Sequence, residues 1–223
     1  DPDEYQAIFS PYKAEFKRRD GDISTHTQMS LSPGHNIEIR KVKLTNHSNE
    51  NKRLEITSYL EVVADSHMAE LSHPAFNKLF IESEFINEHN IFLSKRRSGK
   101  TGEKLYLMHT VKTDRKLLKK VEYENDRMKF IGRNNSPQNP IAVTAGIPLS
   151  NQAGFCNDPI MSIRVTINIP AGQTASVSFI TGVCESRAEA IKISEELDND
   201  FRIDDVFEKF KLQSEIELKY LEI

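Results

Sequence analysis

The stretch Leu54–Val63, "LEITSYLEVV", alternates cleanly. Successive side chains of a β-strand point to opposite faces, so Leu54, Ile56, Ser58, Leu60 and Val62 share one face, with Glu55, Thr57, Tyr59, Glu61 and Val63 on the other. The same period-two reading extends outward in both directions. Upstream, Ile23–Leu31 reads as a polar strand after the Asp20-Gly21 turn signal, and Ile37–Thr45 as a second strand closed by the loop "NHSNEN". Phe9–Phe16 carries aromatics without a period and is expected to be an irregular entry or edge strand. Downstream, Leu79–Ile86, Ile91–Arg97, Lys104–Val111, Met161–Ile169 and Thr174–Val183 are short and strand-like, the last two joined by the glycine turn "PAGQ". Many short strands with frequent turns predict an all-β sandwich.

Two places break this pattern. Ala64–Lys78 interrupts the strands with His67, His73, Pro74, Phe76 and Lys78, and is expected to be a polar loop facing something other than its own core. From Ser186 the period changes to that of helices. "SRAEAIKISEEL" places Ala190, Ile193 and Leu197 on one stripe, with Ser186 as N-cap and Glu189 three residues on. Asp205–Leu221 is expected to be a second helix opened by an Asp205/Glu208 capping box. The sequence therefore divides into a β domain over 1–185 and helices over 186–223 that pack on a sheet face.

Composition limits the function. At 223 residues the chain can bury a sizeable core, and Lys+Arg 30 against Asp+Glu 33 gives a formal net charge of -3, which offers no cationic field to nucleic acid or anionic lipid. No apolar run is long enough to span a bilayer, and the start "DPDEYQAIF" resembles the cut edge of a longer chain rather than a signal peptide. Cys156 and Cys184 lack metal or redox spacing, so free thiols in a reducing cytosol are expected. "SGKT" at Ser98–Thr101 is not a phosphate loop: the motif requires glycine where Ser94 stands, and the following "KLYLMHTV" alternates like a strand. A hairpin loop is expected there. The triplets at Asn46 and Asn134 match a glycosylation acceptor by chance composition.

Chemistry-bearing residues are sparse. His67 and His73, near Asp65 and Glu70, are six apart rather than four and lack a second cluster, so no metal and no cofactor are expected. Glu82 and Glu84 share one strand face, which reads as a solvated face rather than a glycosidase pair. Asp126-Arg127 reads as an ion pair or turn anchor. Tyr59, Phe76, Phe80 and Tyr106 fit either core or sugar platforms.

Beyond these local readings, an ordered set of segments is familiar: "YQAIFSPYKAEFKRRDGDIST", "IEIRKVKLTNHS", "RLEITSYLEVV", "HPAFNKLFIESEF", "DRMKFIGR", "DPIMSIRVTI", "PAGQTASVSFITGV" and "SEIELKYLEI". Together they resemble the glycosyltransferase family 36 module of cyclic β-1,2-glucan synthases and the N-terminal domain of the phosphorylases of glycoside hydrolase family 94. That resemblance implies a galactose-mutarotase-like supersandwich of two antiparallel sheets, followed by linker helices leading to an (α/α)6 barrel. The family's catalytic acid and phosphate-binding residues lie in the barrel, which this sequence does not reach, so no catalytic residue is carried over. By the same resemblance, His73, Phe76, Asn77 and Lys78 are expected on an exposed loop facing that barrel or a partner subunit. The competing expectation is a loop folded back on its own sheet.

Three functions follow as expectations. The first is a non-catalytic scaffolding and carbohydrate-binding domain of a cytoplasmic carbohydrate-active enzyme, with a membrane attachment only through other domains. Its partners would be the barrel, a β-glucan oligosaccharide and a second copy in a homodimer. The second is a free-standing aldose mutarotase or epimerase, which needs a histidine and a carboxylate converging on one concave sheet, here His109 with Glu82 or Glu84. The third is a pure sugar-binding module.

Overall fold

The computed structural model describes residues 2–97 and 105–221. Its strands are β1 (Glu4–Ser10), β2 (Lys13–Asp20), β3 (Ile23–Leu31), β4 (Ile37–Asn46), β5 (Lys52–Thr57), β6 (Leu60–Glu61), β7 (Ile81–Ile86), β8 (Ile91–Arg96), β9 (Tyr106–Thr113), β10 (Glu122–Asp126), β11 (Gly154–Phe155), β12 (Pro159–Ile169) and β13 (Thr174–Cys184). The helices are α1 (His67–Ser72), α2 (Pro74–Lys78), α3 (Arg127–Ile131), α4 (Ile141–Thr144), α5 (Arg187–Glu196) and α6 (Asp200–Tyr220).

Two antiparallel sheets form a supersandwich. The larger has nine strands in the order β1-β2-β3-β4-β13-β9-β8-β7-β11; the smaller runs β10-β12-β5, with β6 also paired to β12. Period two decides which residues meet between them. From β12, Met161, Ile163, Val165, Ile167 and Ile169 point inward against Leu44, Phe92, Val111, Val177 and Phe179 of the larger sheet. Leu54, Ile56, Leu60 and Val62 join this core, as their alternation predicts. The "PAGQ" turn takes the expected form, with Gly172 at φ +67°. Gly182 has a different reason: a Cβ there would stand 2.3 Å from the Asn36 carbonyl oxygen.

The larger sheet also buries its outer face. Ile37, Ile39, Leu93, Met108 and Ile180 pack against Ala190, Ile193 and Leu197 of the α5 segment and Ile203 and Phe207 of α6. The expected cap of α5 is present: the Ser186 hydroxyl accepts from the Glu189 amide at 3.1 Å, and the Glu189 carboxylate accepts from the Glu185 amide at 2.7 Å. The start of α6 differs from expectation. Asn199, not Asp205, is its N-cap, accepting from the Arg202 amide at 3.1 Å, while Asp205 pairs with Lys209 one turn on. The earlier start brings Ile203 and Phe207, four apart, onto the sheet.

An ionic latch fixes that helix. Lys41 is 1% exposed, and its Nζ meets Asp204 at 2.7 Å and Asp200 at 3.0 Å. Both carboxylates keep contact with water, so the pair is weaker than a fully buried one. Removing them, however, strands an ammonium under the helix. Asp200→Asn with Asp204→Asn is expected to cost about 2 kcal/mol in urea unfolding. Lys41→Met, which removes the stranded charge instead, should cost less.

The hairpin loop expected around Ser98–Lys104 lies outside the described residues. The strands flanking it, β8 and β9, pair antiparallel with Phe92 opposite His109.

Candidate functional site

The segment between β6 and β7 is not a loop but two short helices. The Ser66 hydroxyl caps α1 by accepting from the Ala69 amide at 3.3 Å, and Pro74 opens α2. Helices of six and five residues are not stable on propensity alone. This pair is held from beneath. Asp65 takes Arg96 at 3.0 Å, Arg96 donates to the Asn77 carbonyl at 3.1 Å, and Lys78 reaches Asp158 at 2.7 Å. The Arg96 guanidinium also lies 5.1 Å from the centre of the Phe80 ring, which meets Phe76 edge-on at 5.0 Å.

The four residues expected on an exposed surface therefore divide. His73, the hinge between the helices, and Phe76, 59% exposed, face solvent. Asn77 is 7% exposed, so its expected exposure is corrected: it is turned inward beneath α2. Lys78 is likewise committed to Asp158 and anchors the segment. The competing picture of a segment folded back on its sheet describes these two residues, while α1 buries nothing. Met68, Leu71, Phe76 and Leu79 are all exposed, forming an apolar ledge on a firmly attached base.

A second feature lies between the sheets. A cleft of about 400 Å3 opens over the inner face of the larger sheet, with Glu38 and Arg40 of β4 paired to each other on one wall and Tyr59 on the opposite one. His109 forms its floor. Its Nε2 is 2.7 Å from the Ser58 hydroxyl, its Nδ1 2.8 Å from the Thr181 hydroxyl, and its ring is stacked on Phe179. Burial, and then the nearby Arg40 charge, push its pKa down to about 3, so it is neutral at physiological pH.

This geometry corrects the epimerase expectation. Cross-strand partners share a face, and the register sets Phe85, Phe92 and His109 on the inner face. Glu82 and Glu84 alternate with Phe85 and lie on the other side, where Glu84 meets Arg187 and Glu82 meets Lys95. Neither carboxylate reaches His109. Glu38, Arg40 and Thr181 were overlooked in the sequence reading. The signal was present in "IEIRKVKLT", where Glu38 and Arg40 alternate onto the same face as Val42 and Leu44.

Asp126 acts as a turn anchor, its carboxylate accepting from the Met128 amide at 2.9 Å to cap α3. Arg127 donates to Glu61 at 2.8 Å. Both cysteines are free, and burial pushes each thiol up to about 11, which makes neither a nucleophile at neutral pH.

A two-layer supersandwich with a polar cleft and no converging acid and base is an accessory domain type of carbohydrate-active enzymes. The family model "Glycosyl hydrolase 94, supersandwich domain" matches residues 1–200, and the chain belongs to that family. It is 33% identical over 175 residues to the "Cyclic beta-(1,2)-glucan synthase NdvB" of Rhizobium meliloti (strain 1021), a match that covers 78% of this chain and 6% of that relative. Among solved structures, it resembles a protein described as a kojibiose phosphorylase from the human microbiome, with TM-score 0.53 and 8% identity, covering 96% of this chain and 25% of the other. A bacterial glucoamylase complexed with acarbose gives TM-score 0.52 and 10% identity, covering 93% and 28%. These two likenesses concern the fold. Among the described residues, no helix is long and apolar enough to cross a membrane.

Proposed function

We propose that this chain is a non-catalytic domain that scaffolds the reactive part of a longer carbohydrate-active enzyme and shapes the outer end of its glucan site. The observation that carries this reading is the ledge: α1 buries no residue of its own, yet charged anchors hold it in place, with Met68, Leu71, Phe76 and Leu79 turned outward. A clustered exposed apolar surface on a fixed base is what a docking face requires. The last half of α6 adds a second such stripe, with Leu212, Ile216 and Tyr220 exposed at intervals of four. The occupant proposed for the ledge is the helical barrel that follows this domain in its family. A homodimer contact, a β-glucan ligand and a cytoplasmic setting belong to the same proposal.

The test uses the longer polypeptide. Met68→Ser with Phe76→Ser is expected to leave the unfolding temperature of the isolated 223-residue chain unchanged, because neither side chain is buried. In the longer enzyme the same pair should raise KM for the oligosaccharide several-fold. Unaltered kinetics in a well-folded variant would remove the ledge from the site. Lys78→Ala, which breaks an internal anchor, is the contrasting control and should lower the stability of the isolated domain.

A further inference from the structure

We infer that the cleft between the two sheets is a binding site for a neutral saccharide, separate from the ledge and contained wholly within this chain. Three properties of the cleft point to that ligand class. Its volume of about 400 Å3 suits one or two hexose rings rather than a long chain or a lone ion. Its lining carries no net charge: Glu38 and Arg40 neutralise each other, and His109 is uncharged. An anionic group such as phosphate would have to compete with the Glu38 carboxylate for the one guanidinium there, at a desolvation cost.

The third property is the mixture of surfaces. A pyranose presents C–H faces and a ring of hydroxyls, so it needs apolar and polar walls together. Here Phe179, Leu60 and Val42 provide the apolar part. Glu38 and Arg40 offer acceptors and donors fixed in one orientation by their mutual pairing. Tyr59 is held rigid, stacked on Phe130 at 5.0 Å, with its hydroxyl donated to Glu61 at 2.7 Å.

The rigidity of the floor matters as much as its chemistry. His109 is locked by two hydroxyls, and the Ser58 hydroxyl in turn accepts from the Ile163 amide at 3.0 Å. Such a floor is preformed and loses little entropy on binding. It also holds no acid or base free to act on the anomeric carbon, so the site binds without turning its ligand over. The choice of a neutral polyol rests on this lining; the choice of a glucan among polyols rests on the proposed function.

Titrating the 223-residue chain with β-1,2-linked glucotetraose, followed by calorimetry or ligand-observed NMR, should show saturable one-to-one binding with Kd of the order of 1 mM. Maltotetraose serves as the comparator for linkage. Arg40→Met, which keeps the aliphatic stem of a half-exposed side chain, should weaken binding about tenfold, as expected for a lost charged hydrogen-bonding partner. Glu38→Gln is the second variant, and an unchanged far-ultraviolet spectrum and unfolding temperature certify that both are folded. Phe76→Ser should leave the affinity untouched. The inference is overturned by a silent titration, by binding that both cleft variants retain, or by binding that Phe76→Ser abolishes. The last result would move the sugar to the ledge. Loss of the kinetic effect of Met68→Ser/Phe76→Ser in the longer enzyme would instead count against docking alone.

Discussion

Acidification from pH 6.5 to pH 4 is expected to remove about 3 kcal/mol from the unfolding free energy of this domain through His109 alone. The ring is 2% exposed, and both of its nitrogens are used by hydroxyls, which leaves no carboxylate to compensate a proton. Its folded pKa of about 3 lies below the value of 6.5 that the unfolded chain would show. The unfolded state therefore takes up the proton first. Stability is fully present above pH 6.5 and declines as pH falls toward 3. Carboxylates contribute in the same direction but lower down. Glu61, held low by the Tyr59 hydroxyl and then by Arg127, loses its advantage only as pH falls below its ordinary value of 4.5. The window from 4.5 to 6.5 thus isolates the histidine. His109→Gln can still bond to Ser58 and Thr181 but does not titrate, so its stability profile should be flat where the parent's slopes. Equal slopes in chemical denaturation of the two proteins across that window would show that the buried ring is not responsible.

The legible parts of the fold were those in which one rule governed a whole element. Ile23–Leu31 was readable to the residue, and Leu54–Val63 sorted its faces correctly although the strand breaks at Ser58-Tyr59. The helix after Ser186 carried its cap in the sequence. Elements with no buried face were opaque. The hairpin β1–β2 exposes side chains on both sides, so Phe9–Phe16, read as one edge strand, is in fact two strands turning at Pro11-Tyr12, with β1 at the sheet edge. The helices α1 and α2 are too short and too little buried to show a period, and Ala64–Lys78 looked like a loop. The cleft was hidden for the opposite reason. In β4 one face carries Ile37 and Ile39 beneath the helices, while the other turns Glu38 and Arg40 inward, so burial on both sides erased the contrast that marks a site. Strand β10 and the helices α3 and α4 went unread because their cover of the small sheet depends on one distant side chain.

That side chain is Arg164, and Arg164→Ala is expected to cost about 4 kcal/mol, the largest single-residue loss in the molecule. Its position follows from period two: β12 sends Ile163 and Val165 into the core and turns Arg164 to the outer face of the small sheet. A guanidinium only 2% exposed there must have every donor engaged. Its Nε donates to the Thr57 hydroxyl at 2.9 Å, Nη1 to the Ile147 carbonyl at 2.9 Å and Nη2 to the Ala142 carbonyl at 2.6 Å. Glu55 and Glu122 stand 3.7 Å away and balance the charge. The arginine thus ties the segment containing α4 to the sheet, and with it the small cluster of Phe130, Ile131, Ala142, Leu149 and Ile160 on which Tyr59 packs. Truncation strands two carbonyls and two carboxylates in one step, whereas lysine supplies a charge without the planar fork and should recover less than half of the loss. Because Tyr59 borders the cleft, the same change should loosen that wall. Hydrogen exchange should rise across 127–149 in Arg164→Lys while the β12–β5 ladder stays protected. Exchange rising uniformly over both sheets would mean that Arg164 supports the whole domain rather than pinning this cover.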